Sequence, residues 1–323
     1  MASKPRILVL SSANMDMMLR MKRIPQAGET VKEEQYAFVP GGKGANAALA
    51  VARLDGDCVF CTRLGDDLNG KVLRDYYRDN HIDTRFVTTD PEAKTGLAAV
   101  MVEESGQNRI VVYPGANNRI TEEDADDALT CLPDALFMQL EISPDVVLFA
   151  AQKARAKCIP IIVDAGPADP NFPLEQLGEV EIFSPNETET EIFTGIRPDT
   201  MQNCMKACMA LQKRIRAKYY VLKLGERGAY LYDGKFYQFI AAYDVKAVDT
   251  TGCGDAFSAA MTLEYLRSHD ISRAVEYANI VGALTVMHAG AGSSIPSSRR
   301  VREFVEKNGL SFDLDFVPEG EEE

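Results

Sequence analysis

Short apolar runs rich in β-branched residues alternate with amphipathic helical patterns along most of this 323-residue chain. Apolar runs bounded by turn formers predict strands, and longer segments with apolar positions three and four apart predict helices. The predicted strands cover residues 7–10, 58–61, 136–140, 160–163, 182–183, 219–222 and 229–232. The predicted helices cover residues 44–54, 68–80, 145–157, 201–216, 254–266 and 271–287. This alternation is typical of an α/β fold with a doubly wound, mostly parallel sheet that carries helices on both faces.

Two stretches break this rhythm and predict a separate small sheet. Residues 29–39, and residues 96–102 with 109–113, alternate in side-chain character with a period of two. We interpret them as a small antiparallel β lid that excludes water from a reacting group and whose exposed face can pair with a second subunit. An ordinary extension of the main sheet is the alternative.

Length and composition limit the number of domains and the class of protein. A chain of this length with 46% hydrophobic residues can form one large core. We expect one α/β domain over residues 1–312, with a discontinuous lid at about 15–40 and 95–114, and an acidic tail over residues 313–323. The net charge of −13 argues against a nucleic-acid partner, because nucleic-acid binding needs a basic surface.

The cysteines and the chain start indicate a cytoplasmic protein. No segment is long and apolar enough for a membrane span, and no signal-peptide pattern precedes the first strand. The seven cysteines are odd in number and scattered through apolar runs, as reduced buried thiols are. Cys58 and Cys61 have the C-x-x-C spacing, but no second pair of ligands lies nearby, which disfavours a zinc or redox site.

The run Asp-Thr-Thr-Gly-Cys-Gly-Asp at residues 249–255 carries the most informative pattern. A turn of small residues before a helix directs backbone N–H groups and the positive helix end at an anion such as phosphate. Asp255 lies where this helix begins and is the candidate base for a substrate hydroxyl. The amides of Gly252, Cys253 and Gly254 are the candidate anion hole for phosphoryl transfer. A helix capped after an ordinary glycine turn is the alternative.

Two segments near the start of the chain suit a polyol. Asn14 and Asp16 follow the first strand, at the carboxyl end where open α/β sheets bind ligands, and offer donors and acceptors to adjacent hydroxyls. A turn stabilised by Asx side chains is the alternative. The run Gly-Gly-Lys-Gly-Ala-Asn at residues 41–46 lets a ligand approach the backbone, with Asn46 as a candidate partner of a sugar hydroxyl. A phosphate loop is equally compatible with this run.

Four later segments carry further candidate groups. Glu141 can accept a hydrogen bond from a hydroxyl or cap the helix that follows it. Asn186 and Glu189 are hard oxygen ligands for Mg²⁺ or its waters, and Asn186 is equally well a helix N-cap. Residues 223–228 offer glycines and basic side chains to a nucleotide, with a plain hairpin turn as the alternative. Asn279, on a long predicted helix, is a weak candidate for an adenine or ribose contact.

Taken together, these segments resemble the PfkB-type family of carbohydrate kinases. The matching runs are Asn-Met-Asp at 14–16, Gly-Gly-Lys-Gly-Ala-Asn at 41–46, Gly-Ala-Asn at 115–117, Met-Gln-Leu-Glu at 138–141, Pro-Asn-Glu-Thr-Glu at 185–189, Leu-Gly-Glu-Arg-Gly at 224–228 and residues 249–255. The resemblance implies a ribokinase-like fold and ATP-dependent phosphorylation of the 5-hydroxyl of D-ribose, with Asp255 as general base and Gly252, Cys253 and Gly254 as anion hole. The implied sugar contacts are Asn14, Asp16, Gly42, Lys43, Asn46 and Glu141. The implied nucleotide contacts are Asn186, Lys223, Leu224, Gly225, Glu226, Arg227, Gly228 and Asn279.

The resemblance also implies metal ions and a second subunit. Mg²⁺ would accompany ATP, with Asn186 and Glu189 reaching it through water. A monovalent cation, usually K⁺ in that family, would lie beside the anion hole, in part on carbonyl oxygens. The matching positions are Asp249, Thr251, Thr285, His288, Gly290 and Ser294. The family pairs its lids in a homodimer, which places Ile110 at a position that reaches the sugar site of the partner subunit.

Two departures from the family pattern bear on the substrate and on reactivity. Residues 163–168 read Val-Asp-Ala-Gly-Pro-Ala where the family usually has Asn-Pro-Ala-Pro, so a carboxylate is added near the active edge and the exact sugar stays open. Cys253 stands where Ala or Gly is usual, and a thiol at a helix N-terminus is expected to have a lowered pKa and to react with alkylating agents. A kinase of 2-deoxyribose or of a nucleoside is the alternative within the family. A non-catalytic sugar- or nucleotide-binding protein is the alternative from another class.

Overall fold

The chain folds into a large and a small β-sheet with helices around the large one. The structure is a computed structural model that describes residues 4–32, 35–104, 108–310 and 312. The strands are β1 Arg6–Leu10, β2 Asn14–Met21, β3 Gln35–Gly41, β4 Asp57–Gly65, β5 Asp83–Asp90, β6 Gly96–Glu103, β7 Asn108–Tyr113, β8 Ala135–Gln139, β9 Ile161–Asp164, β10 Glu179–Ser184, β11 Arg216–Lys223, β12 Gly228–Tyr232 and β13 Tyr237–Ala241. The α-helices are α1 Lys43–Arg53, α2 Leu68–Asp79, α3 Glu122–Ala128, α4 Pro144–Ala156, α5 Glu187–Thr194, α6 Met201–Leu211, α7 Cys253–Ser268, α8 Ile271–Val286 and α9 Ser298–Lys307.

The large sheet is doubly wound. Within the described residues it has nine strands in the order β13-β12-β11-β10-β9-β8-β1-β4-β5. The pairs from β11 to β5 are parallel, and β12 and β13 are added antiparallel at one edge. β1 lies in the middle, between β8 and β4, so the connections run outward from it in both directions. This confirms the predicted α/β class.

Alternate residues of β1 belong to two different cores. Ile7 and Val9 pack with the helices α1, α7 and α8, whereas Leu8 and Leu10 pack with α4 and α6 on the opposite face. All four side chains are buried, because side chains of successive strand residues emerge on opposite faces and both faces are covered. This explains why β1 is a continuous apolar run rather than an alternating one.

The small sheet is separate from the large one, so the alternative of a main-sheet extension is wrong. Its strand order is β3-β2-β6-β7 within the described part of the chain. The outer pairs are antiparallel as predicted, but the central pair β2 and β6 is parallel, so the sheet is mixed. The strand predicted over residues 29–39 begins only at Gln35; residues 29–32 are not in a strand, and residues 33–34 lie outside the described residues.

Two other expectations differ from the structure. The helix predicted over residues 201–216 ends at Leu211, because the chain turns there and Arg216 pairs with Glu179 of β10. Asn14 and Asp16 lie inside β2 rather than in an Asx turn.

The predicted acidic tail, residues 313–323, lies outside the described residues. None of the described helices is both long and apolar enough to cross a bilayer.

Candidate active site

Asp255 lies in the first turn of α7 and is held by three polar side chains. The N-cap Gly252 has φ +73°, a left-handed conformation that glycine adopts at no steric cost, and α7 begins at the next residue. Asn46 Nδ2 donates to Asp255 Oδ2 at 2.9 Å, and Gln139 Nε2 donates to Asp255 Oδ1 at 3.2 Å. Lys43 Nζ lies 3.7 Å from Oδ1. The start of α1, the end of β8 and the start of α7 therefore meet at one carboxylate.

Burial decides the ionisation of this carboxylate. Asp255 is only 5% exposed, and the loss of water raises its pKa to about 6, although the Lys43 ammonium acts in the opposite direction. The carboxylate is therefore still mostly ionised at pH 7 and is a stronger base than an ordinary aspartate.

The three amides predicted to form an anion hole are not equivalent. The Cys253 N–H donates to the Thr250 carbonyl at 3.2 Å, which leaves its amide partly committed to the turn. Gly254 lies beside Lys223, whose Nζ would be 3.8 Å from a Cβ atom at that position. The start of α7 thus combines backbone N–H groups, the positive helix end and a nearby ammonium group.

The expectation of a lowered pKa for Cys253 is wrong. Burial raises the pKa of this thiol to about 11, and the negative charge of Asp255 acts in the same direction. Its Sγ contacts the carbonyl oxygen of Gly282 at 3.5 Å. Desolvation is the largest influence on this thiol, and the Lys223 ammonium acts against it.

The predicted sugar residues collect at the carboxyl end of β1 and β8. Asn14 is 3% exposed, and its Oδ1 accepts a hydrogen bond from Asn117 Nδ2 at 2.8 Å. Asn117 in turn accepts from the Ala13 amide at 2.9 Å, so it fixes the entrance to β2. Glu141 accepts hydrogen bonds from the Ser12 hydroxyl and, at 3.3 Å, from the Lys43 amide. Glu141 therefore caps α1 rather than the helix that follows it in sequence.

Asp16 has an unused acceptor. Its Oδ1 is buried and has no hydrogen-bond partner within the described residues. Its carboxyl group lies over Gly41, where a Cβ atom would be 2.0 Å from Oδ2. Burial raises the pKa of Asp16 to about 7, and the charges of Glu141 and Asp255 add to this effect. A buried carboxyl oxygen without a protein partner is suited to a hydroxyl group of a ligand.

Gly42 carries the chain from the small sheet into α1. It is the N-cap of α1 with φ +89°, and a Cβ atom there would lie 2.7 Å from the Asn14 backbone nitrogen. Only glycine permits this close approach, which brings the first residue before α1 against the backbone at the entrance to β2. Ile110, on the edge strand β7, pairs with Val100 and is 52% exposed.

The predicted nucleotide residues are only partly brought together. Asn186 and Glu189 form a reciprocal capping box at the start of α5, with bonds of 2.9 and 2.7 Å, and burial raises the pKa of Glu189. Lys223 ends β11 and is 9% exposed. Residues Leu224, Gly225, Glu226 and Arg227 form the β11–β12 connection and Gly228 begins β12, so the backbone is that of a hairpin.

Two of the predicted nucleotide residues, Arg227 and Asn279, use their side chains for contacts within the protein. The Arg227 guanidinium donates to the Pro198 and Asp199 carbonyls and pairs with Glu187 at 2.7 Å. Asn279 Nδ2 donates to the carbonyls of Ile240 and Ala241, both at 3.1 Å, and so ties α8 to β13. These side-chain donors therefore hold together the loops and strands around the carboxyl edge of β11.

The predicted cation positions lie on two loops joined by Asp249 and, for Thr285, in the last turn of α8. Its Oδ1 accepts from the amide and hydroxyl of Thr251, at 2.9 and 2.6 Å, and its Oδ2 accepts from the Gly290 amide at 2.9 Å. Burial would raise the pKa of Asp249, but these hydrogen bonds outweigh it and hold the pKa below its ordinary value.

The other cation positions use their side chains internally. Thr285 and Ser294 donate their hydroxyl hydrogens to backbone carbonyls at 2.8 Å, and the exposed His288 ring contacts Arg300. Carboxylate, hydroxyl and carbonyl oxygens are the donors that hard cations prefer, so the chemistry of the set fits K⁺. No cluster of three or more His, Cys, Asp or Glu residues able to hold a metal ion occurs among the described residues.

Four residues of this cluster were not predicted individually. Gln139 bridges Asp255 and Asp164 through its amide, and Ser11 donates to its Oε1 at 2.9 Å. Asp164 accepts from Lys223, and Asn117 anchors Asn14. Gln139 and Glu141 alternate at the end of an apolar strand, which is the one sequence signal that marks both as edge residues.

The fold and this site together define a doubly wound α/β phosphotransferase. The sequence model of the pfkB family carbohydrate kinases matches residues 4–298, and the chain therefore belongs to that family, whose members transfer phosphate to a sugar hydroxyl.

Similar proteins with established names span nearly the whole chain. A ribokinase from Staphylococcus aureus is 37% identical over 303 residues, which covers 92% of this chain and 99% of that protein. A deoxyribokinase from Salmonella typhi is 30% identical over 304 residues, with coverages of 94% and 99%. The structure of an Arabidopsis thaliana ribokinase complexed with ribose and ATP superimposes with a TM-score of 0.86 at 29% identity, covering 94% of this chain and 99% of that one.

Proposed function

We propose that this protein is an ATP-dependent kinase of the 5-hydroxyl of D-ribose. The observation that carries the proposal is the buried Asp255 carboxylate, which Asn46 and Gln139 hold at the start of α7. The names of the similar proteins, ribokinases among them, support ribose as the acceptor and ATP as the donor.

In the proposed reaction, Asp255 takes the proton of the ribose 5-hydroxyl while the 5-oxygen of ribose attacks the γ-phosphorus of ATP. The amides of Gly252, Cys253 and Gly254, with the positive end of α7, stabilise the charge on the transferring phosphoryl oxygens. Lys43, 3.7 Å from Asp255, is close enough to attract the same oxygens. The proton ends on Asp255, and the phosphorus–oxygen bond to ADP breaks.

The ribose hydroxyls would bind between β2 and the start of α1. Asp16 offers its unpartnered buried oxygen, and Asn14, Glu141 and the Gly42 backbone line the same edge. We propose that the small sheet closes over the sugar as a lid and so forms the remaining wall of the sugar site. Its edge strands expose Tyr36, Phe38, Ile110, Val111 and Tyr113, each more than half exposed. These apolar surfaces support the proposal of a lid-to-lid homodimer in which Ile110 reaches the partner's sugar site.

The nucleotide would bind along the carboxyl edge of β10 and β11, near Asn186, Lys223, the 224–228 connection and Asn279. Asn186 and Glu189 are the residues that would hold Mg²⁺ through water, where the ion would neutralise charge on the phosphates. K⁺ would be held by the two loops that carry Asp249, Thr251, His288, Gly290 and Ser294 and by the end of α8 at Thr285, where it would add positive charge beside the anion hole.

Replacement of the base tests the proposal. Asp255→Asn keeps the size of the side chain but removes the proton acceptor, so we expect kcat with ribose and ATP to fall by about 10²–10⁴-fold. Asp126→Asn, which removes a carboxylate from the exposed ion pair with Lys153, is the matched control and should keep full activity. ADP release measures both, and circular dichroism checks the fold. A fully active Asp255→Asn enzyme would remove Asp255 from the mechanism.

One alternative acceptor is favoured by a specific observation. The deoxyribokinase from Salmonella typhi is similar over nearly the full length, which supports 2-deoxy-D-ribose as the second candidate. Rates of ADP release with ribose, 2-deoxyribose, fructose and nucleosides decide between them. Turnover of a nucleoside or deoxyribose without turnover of ribose would reverse the choice, and no turnover of any of them would favour a non-catalytic binding protein.

A further inference from the structure

We propose that Asp164 and Lys223 form a positioning pair for the base: Asp164 orients Asp255 through the Gln139 amide, and Lys223 compensates the charge that Asp164 adds. This inference rests on the proposed role of Asp255. It concerns two residues that meet only in the folded protein, 59 positions apart in sequence.

The pair crosses one strand of the sheet. Asp164 ends β9 and Lys223 ends β11, and β10 lies between them. Ser184, at the end of β10, pairs in register with Asp164 and turns its hydroxyl to the Val221 carbonyl. The Lys223 ammonium donates to Asp164 Oδ1 and, at 3.2 Å, to the Ser258 hydroxyl of α7. Both charged side chains are buried, at 3% and 9% exposure.

Gln139 connects this pair to the base. Its Nε2 donates to Asp255 Oδ1 at 3.2 Å and lies 3.4 Å from Asp164 Oδ2, so each of its two hydrogens faces one carboxylate. The Ser11 hydroxyl donates to Oε1 at 2.9 Å and thereby fixes which end of the amide faces the carboxylates. Asp164 therefore restricts Gln139, and Gln139 restricts the Asp255 oxygen nearest to Lys43.

A second buried carboxylate near a base has an electrostatic cost unless it is neutralised. The charged and titratable groups that face Asp255 are Lys43 on α1, Asp16 on β2, Asp164 at the end of β9, Lys223 at the end of β11 and Cys253 on its own helix. The charge of Asp164 raises the pKa of Asp255, and the charge of Lys223 lowers it. Because the two act in opposite directions, their simultaneous presence leaves the base ionised at neutral pH while the Gln139 contact is kept.

Opposite effects of the two single substitutions follow from this arrangement. Lys223→Met leaves the Asp164 charge uncompensated, so the acid limb of the pH profile of kcat/KM for ribose should move to higher pH. Asp164→Asn leaves the Lys223 charge, so the limb should move to lower pH. We expect each displacement to be about one pH unit, which is about a tenfold change in kcat/KM on the limb. The double variant should return to the wild-type position.

The experiment measures kcat/KM for ribose from pH 4.5 to 9 at saturating ATP and Mg²⁺, roughly the range that brackets the carboxylate and its shifts. The matched controls are Lys153→Met and Asp126→Asn, which remove the same charges from an exposed pair and should leave the profile in place. Lys223→Arg, which keeps the charge, should also keep the acid limb. The proposal would be overturned if the two single variants moved the acid limb in the same direction. It would also be overturned if the acid limb of the double variant were displaced as far as that of either single variant.

Two further readouts keep the test independent of folding and of the proposed function. Should Lys223→Met fail to fold, the comparison of Asp164→Asn with the double variant still requires a displacement between them, and equal profiles contradict the pair. The proposed function fails separately, through an active Asp255→Asn enzyme. If Asp255→Asn is inactive and the profiles of all Asp164 and Lys223 variants coincide, only the positioning role is wrong.

Discussion

Gly96 is the position where one added methyl group tests the link between the small sheet and the proposed sugar site. It pairs in register with Asn14, and a Cβ atom on it would lie 2.2 Å from Asn14 Oδ1, 2.4 Å from Asn117 Nδ2 and 2.8 Å from the Ala13 carbonyl. The two asparagines are only 3% and 1% exposed, so neither can turn aside into solvent. Gly96→Ala therefore breaks the 2.8 Å hydrogen bond between them.

The size of the effect follows from that contact. The hydrogen bond contributes about 1 kcal/mol net, and a buried polar group left without a partner costs about 1–3 kcal/mol. We expect the free energy of unfolding to fall by about 2–4 kcal/mol. Because Asn14 is displaced from the sugar side, KM for ribose should rise about tenfold or more, while KM for ATP should stay unchanged.

Urea unfolding and initial rates measure the two effects separately. Gly195→Ala is the control: Gly195 has φ +71°, and no atom lies within 4 Å of an added Cβ, so it should lose about 1 kcal/mol of stability through the backbone alone and keep both KM values. A Gly96→Ala enzyme with a normal KM for ribose would refute the placement of Asn14 at the sugar. Wild-type stability in that variant would refute the steric argument itself.

Three further predictions address charge, thiol reactivity and the cation. Asp16→Asn should raise the free energy of unfolding by about 1–3 kcal/mol at pH 8 and change it little at pH 4. The reason is that the folded state raises the pKa of Asp16, so at a pH above the ordinary pKa of an aspartate the ionised side chain destabilises the folded state. Urea titrations at both pH values check this. At pH 7.5 iodoacetamide should modify the exposed Cys158 long before Cys253, whose pKa is raised, and peptide mapping that shows Cys253 labelled first would contradict it. The rate should be higher in KCl than in NaCl at equal ionic strength, and equal rates would count against a K⁺ site at Asp249 and Gly290.

The sequence predicted the buried middle of the large sheet better than its edges. β1 is a continuous apolar run because both of its faces are covered, and such runs are visible without a structure. β5 reads Asp-Thr-Arg-Phe-Val-Thr-Thr-Asp and lies at one edge, where only part of its side chains are buried, so its polar composition concealed it. β13, at the other edge, was also missed, although Tyr-Gln-Phe-Ile-Ala is mostly apolar; it is a short strand whose side chains are largely exposed.

The site was predictable where one local pattern carried it. Asp255 and its glycine turn lie within seven residues, so the helix start was evident from sequence. The bridge from Asp164 through Gln139 to Asp255 was not, because it depends on the pairing of β8 with β9 and on the position of α7 against them. The pKa of Cys253 was predicted in the wrong direction, because sequence shows the helix N-terminus but not the burial of the thiol, which raises its pKa.

The hydrogen bond between Asn46 and Asp255 joins groups 209 residues apart in the chain. During synthesis on the ribosome, the amide is made long before its carboxylate partner, and β1, β4 and α1 can associate while the acid does not yet exist. Every chain that has not yet reached residue 255, which lies in the last third of the sequence, therefore lacks the carboxylate that we propose as the base. With the proposed base at this position, phosphate transfer requires that most of the chain has been made and that a contact of very long range has formed, which is a slow step in folding.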